Sequence, residues 1–173
     1  SAVVPLVSRT EVLYDPEVPA CPPETPFYLT PIFVAWLFFF FVAAVSVYDI
    51  SRKRYSRVFD TVLFSIYGLG GLVVFFLVFV SVHPATYPNY SAFWLHPFWL
   101  LMALFVWFKS LKSIVRYYHF ANFAGLLLFV ALWHWIPQQF NAAFFPLVLV
   151  LVIRSFAYLA VSVRLKKNGE KQR

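Results

Sequence analysis

Residues 72–97 read LVVFFLVFVSVHPATYPNYSAFWLHP. The first nine, Leu72 to Val80, are apolar without a break. A membrane strand alternates apolar and polar residues, so an unbroken run of this kind belongs to a helix. The remainder, Ser81 to Pro97, has no lysine, arginine, aspartate or glutamate. It holds two of the four histidines, His83 and His96, with Asn89, Trp94, two tyrosines and the hydroxyls of Ser81, Thr86 and Ser91. An uncharged, aromatic loop between two apolar runs suits a membrane surface facing away from the cytoplasm, and any function is expected to sit there.

Composition extends that reading to the whole chain. With 62% hydrophobic and only 12% charged residues over 173 positions, it is too apolar for a soluble domain of this size. A hydrocarbon core of about 30 Å needs about 20 apolar residues per helix, which is the length of the runs here. The sequence therefore predicts an all-α, polytopic membrane bundle of about five transmembrane helices near residues 31–48, 59–82, 97–108, 117–136 and 142–163. Thr30 is the expected N-cap of the first helix, with proline in its first turn. Gly68, Gly70 and Gly71 let a neighbouring backbone approach the second. They are not a phosphate loop, because no strand precedes them and no lysine follows.

The net charge of +7 raises the question of nucleic acid, but its distribution answers otherwise. Twelve of the fourteen basic residues fall into three clusters flanking apolar runs, at 52–57, 109–116 and 164–173. Residues 83–96 and 136–141 carry no lysine or arginine. This is the positive-inside pattern, which predicts an outer N-terminus and an inner C-terminus, with lipids and no nucleic acid as partners. Trp94, Trp99, Trp133 and Trp135 are expected to form an outer aromatic belt, and Tyr55, Tyr117 and Tyr118 an inner one.

Residues 1–30 hold six of the twelve prolines, which predicts an extended, extracytoplasmic linker. Residues 31–163 would be the membrane domain and 164–173 a basic cytoplasmic tail. A beginning inside a linker, without a signal-peptide pattern, predicts that the chain continues from something larger. Cys21 is the lone cysteine, so no internal disulfide is possible, and nothing beside it would activate a thiol.

Candidate sites follow from residue chemistry. Ser81, His83, Thr86, Asn89 and His96 form a substrate-facing or lipid-facing loop stiffened by Pro84 and Pro88. There His83 would orient or deprotonate a reacting group and Asn89 would donate to an oxyanion. Without a nucleophile and a dedicated base, positioning is expected ahead of catalysis. His83, His96 and His134 share the outer interface, yet none has the i, i+4 spacing or the carboxylate partner of a metal site. No metal and no cofactor is therefore expected. Arg154 is the one charge well inside a predicted span, and such a charge usually faces the bundle interior and finds a partner. Asp60 is the nearest acidic candidate and Asn122 a polar alternative, with a lipid phosphate or snorkelling as the competing roles.

The order SRKRYSR, FDTVLFSIYGLGGLVVFFLVFVSVHPATYPNY, FWLHPFWLL, and a second basic turn before YYHFANF resembles the C-terminal membrane region of the Lnb family. These are inner-membrane lipoprotein N-acyltransferases of Bacteroidota, and SxHPATxPNY is the most specific part of the likeness. The resemblance implies an upstream periplasmic domain with a cysteine and histidine active site, and a lipoprotein and a phospholipid as substrates. It implies acyl transfer to the amino group of the lipoprotein's N-terminal cysteine through an enzyme thioester. No catalytic residue carries over to this chain, and Cys21 is not the family's nucleophile. The competing readings are a non-enzymatic anchor or assembly subunit docking a periplasmic partner, a cofactor-bearing electron carrier, and, with less support, a transporter, which would show internal symmetry.

Overall fold

The computed structural model describes residues 25–81 and 89–170, with side chains as far as Leu165. Its elements are α1 (Pro31–Arg52), α2 (Arg57–Phe79), α3 (Phe98–Phe105), α4 (Lys112–Ala131) and α5 (Phe144–Glu170). Among the described residues short 3-10 turns also lie at Phe27–Leu29, Tyr90–Phe93 and Lys109–Leu111. Four of the helical stretches, Pro31–Arg52, Arg57–Phe79, Lys109–Ala131 and Phe144–Leu165, are long and apolar enough to cross a membrane. The chain is a multi-pass helical membrane protein.

The helix predicted at 97–108 is found at Phe98–Phe105, ending earlier than expected. The apolar stretch leading into it begins sooner, with a 3-10 turn at Tyr90–Phe93 and an interruption before Pro97. This interrupted third pass follows α2 along most of its length. Near the start, the Tyr90 amide donates to Gln138 Oε1 at 2.7 Å. Further on, the backbone at His96 passes Gly71, and Leu100 passes Gly68. At the far end Trp107 Nε1 donates to Thr61 Oγ1 at 2.8 Å. The segment thus runs antiparallel down α2, from the end bearing the uncharged loop to the end bearing the basic clusters. A Cβ on Gly71 would overlap the His96 carbonyl group, and one on Gly68 would sit 2.6 Å from Leu100 Cγ. Only glycine leaves room for a backbone there.

Helix ends are set locally. Thr30 stands at the N-cap of α1 as expected, but its hydroxyl makes no capping bond and instead donates back to the Phe27 carbonyl, closing the preceding 3-10 turn. Lys53 ends α1 in the left-handed region, at φ 52°. The turn it makes returns Ser56 to Asp49, whose Oδ1 accepts from Ser56 Oγ at 2.6 Å and whose Oδ2 accepts from its amide at 3.1 Å. α5 continues to Glu170 rather than stopping at 163, and Arg164 Nη1 donates to the Ile50 carbonyl at 2.9 Å.

α5 lies between α1 and α4, and α2 packs chiefly against the third pass. The core gathers Phe64, Trp94, Trp99, Leu126, Val148 and Leu151. Trp94 and Trp99 therefore leave the expected belt. They are 2% and 0% exposed, because Trp94 packs between Tyr67 and Phe144 and Trp99 stacks on Phe64. Trp135, at 77% exposed, stays outside.

Candidate functional site

Two polar regions stand at different depths, one at the loop end and one near the basic end. At the loop end, the Val80 and Ser81 amides both donate to the Phe76 carbonyl, closing α2. Asn89 Oδ1 accepts from the Ser91 amide at 3.0 Å and caps the 3-10 turn. It also accepts from Gln138 Nε2 at 3.4 Å. Gln138 therefore ties the start of the third pass to the turn between α4 and α5. His83 and Thr86 lie outside the described residues. His96 does not share this end with Asn89. It stands eight residues from the end of α2, about 12 Å down at ~1.5 Å per residue, where its ring stacks on Trp99 with centroids 5.5 Å apart. His134 is exposed. Among the described residues no group of three His, Cys, Asp or Glu converges as a metal site.

An apolar groove of about 450 Å³ opens beside the loop end, between α1 and α5. Pro31, Val34, Phe38, Phe144 and Leu147 line it, and Asn141 stands among them. The exposed aromatic residues Phe27 and Tyr28 precede it, so the chain joins α1 at this groove.

The second region centres on Arg154. Its Nε donates to Asp60 Oδ1, and its Nη2 to Asp49 Oδ2 at 2.7 Å. All three side chains are almost fully buried. Its guanidinium also lies 5.2 Å from the centre of the Phe59 ring, and Nη1 donates to Ser46 Oγ at 3.4 Å. Arg154 thus binds α5 to both α1 and α2. Asn122, the other partner considered, instead donates to the Tyr118 carbonyl one turn back. Asp49 was not anticipated as a partner, since its position at the edge of a basic run reads as solvated. The signal for it is spacing: Ser46 and Asp49 are three residues apart and share a helix face.

His119 was also passed over. It is fully buried on α4, its Nδ1 3.2 Å from Ser155 Oγ, and a histidine inside an apolar span is itself the signal. Its ring stacks on Tyr158, and Tyr158 on Tyr55, with centroids 4.4 and 4.6 Å apart. Tyr55 shares a hydrogen bond with Ser162 at 2.8 Å. Burial pushes the Tyr55 phenol up from its ordinary value, so this aromatic column ends in a neutral hydroxyl.

These features define a polytopic α-helical membrane domain with a lipid-accessible groove at one end and a buried ion-paired core near the other. Residues 23–167 match the family model described as the Lnb transmembrane domain. The chain belongs to that family. No curated protein and no solved structure matches it.

Proposed function

We propose that this chain is the membrane part of a lipoprotein N-acyltransferase of the bacterial inner membrane. It holds an upstream periplasmic domain at the bilayer and admits phospholipid and lipoprotein to it. The charge asymmetry supports the orientation, with the basic end in the cytoplasm and the loop end in the periplasm.

The observation that carries this reading is the apolar groove between α1 and α5. It opens at the loop end, beside the point where residues upstream of Pro31 join the bundle. An acyl chain lying in it keeps its ester near the outer surface, within reach of a domain attached there. In the reaction, the upstream thiolate attacks the ester carbonyl, forming a thioester and releasing a lysophospholipid. The lipoprotein's α-amine then attacks the thioester carbonyl, forming the amide and returning the thiol. This chain contributes position to both steps. Ser81, His83, Thr86 and Asn89 hold the headgroup or the docked domain, and His96 braces the third pass beneath them.

The test uses the full-length enzyme. Val34 lines the groove and is 52% exposed, so Val34→Trp fills the groove with little disturbance to helix packing. The expected result is a several-fold rise in KM for phospholipid with an unchanged melting temperature. Unaltered kinetics would remove the groove from the reaction. Replacing residues 31–163 by unrelated helices separates the anchor reading, since a mere anchor tolerates that exchange and an admitting domain does not.

A further inference from the structure

A second groove lies at the opposite end of the bundle from the proposed acyl-donor groove. It is an open groove of about 830 Å³ between the basic ends of α1 and α2. It exists because the two helices have different neighbours: α1 packs on α5 and α2 on the third pass. They are drawn together near their basic ends by Arg154, which holds Asp49 and Asp60, and the space above that clasp faces lipid. Phe41, Val62, Ile66 and Trp107 supply apolar walls, while Arg54 and Arg57 stand at the basic rim.

Charge decides what fits. The two acidic residues nearest the rim, Asp49 and Asp60, are both committed to Arg154. Among the described residues neither Arg54 nor Arg57 forms an ion pair; Arg54 lies 5.9 Å from the Tyr48 ring centre. Two arginines without acidic partners above an apolar groove match a phosphodiester above acyl chains. Length agrees as well. From Arg57 to Ile66 is nine residues, about 14 Å at ~1.5 Å per residue, close to half of a hydrocarbon core of about 30 Å.

We infer that this groove is a binding site for one anionic phospholipid of the cytoplasmic leaflet, its headgroup held by Arg54 and Arg57 and an acyl chain lying between α1 and α2. The site is separate from the groove at the loop end and does not depend on the acyltransferase reading. Its lipid is a bound partner of the fold and undergoes no reaction.

The experiment uses the complete protein, purified in a non-ionic detergent and stripped of lipid. Phosphatidylglycerol or phosphatidylcholine is added in mixed micelles, and bound lipid is counted by native mass spectrometry alongside the melting temperature. The expected result is one phosphatidylglycerol retained per chain, with a larger stabilisation than phosphatidylcholine gives. The double variant Arg54→Gln/Arg57→Gln should bind phosphatidylglycerol roughly tenfold or more weakly, from the loss of two basic contacts at the headgroup. Val62→Trp, which blocks the apolar part and leaves both arginines, should also lose the retained lipid. Equal retention of both lipids, or a headgroup preference that survives the double variant, overturns the proposal. Full stabilisation by glycerol phosphate alone would make this a simple anion site, and a dimer whose formation excludes lipid would make it an interface between copies; each overturns it too.

Discussion

Arg154 is tolerated inside the membrane because two carboxylates from two other helices reach it. Removing the cation leaves Asp49 and Asp60 buried and uncompensated, and breaking a buried pair costs about 3–5 kcal/mol. Arg154→Ala should therefore lower the melting temperature in detergent sharply. The triple change Arg154→Met, Asp49→Asn, Asp60→Asn should recover much of the loss, because no charge is then left without a partner. A triple variant as unstable as Arg154→Ala would show that the triad supplies stability beyond mutual neutralisation. Tyr67 makes a smaller contribution of the same kind. Its hydroxyl donates to the Leu147 carbonyl at 2.8 Å, a second tie from α2 to α5. Tyr67→Phe keeps the ring and should cost about 1 kcal/mol, the worth of one hydrogen bond, as read by denaturant titration.

At the scale of elements, the third pass is the part most sensitive to its neighbours. A continuous helix would satisfy its own backbone; this one bends at His96 and Pro97 and fits only because α2 presents glycine at 68 and 71. Gly71→Val should push the His96 backbone away and destabilise the bundle by about 1–3 kcal/mol, typical of overpacking. Gly70 faces the flexible Leu95 side chain, where a Cβ would approach only to 3.3 Å, so Gly70→Ala should be much milder. Equal effects at the two positions would mean that close backbone approach is not what the glycines provide. At the loop end, Asn89 and Gln138 hold the start of this pass, so Asn89→Ala should impair the proposed acyl transfer in the full-length protein through placement. If placement is the cause, Gln138→Ala should reproduce much of the loss. A severe loss for Asn89→Ala with Gln138→Ala unaffected would favour a direct contact from Asn89 to the substrate.

At the scale of the whole molecule, the bundle joins two unlike surfaces. The loop end is uncharged and aromatic, with a small groove that serves the proposed acyl donor; the basic end has a larger groove rimmed by arginines that have no acidic partner among the described residues. The two lipid sites are separable by experiment. Val34→Trp should change kinetics and leave phosphatidylglycerol retention intact, while Arg54→Gln/Arg57→Gln should do the reverse, affecting activity only through stability.

The sequence by itself determined the class, the direction of the charge asymmetry and the family likeness. Length, apolarity and the spacing of basic clusters act through transfer from water to lipid, a property of each segment on its own. It also made Arg154 conspicuous and named Asp60 as a partner candidate, because an intramembrane charge has few places to go. Tertiary structure alone decided that Asp49 joins Arg154, that Trp94 and Trp99 are core rather than belt, and that an interrupted stretch from Tyr90 leads into α3. Those outcomes depend on which helix lies beside which. Inside a bilayer, hydrophobicity no longer distinguishes a neighbouring helix from lipid, so local packing and polar pairing choose the neighbours.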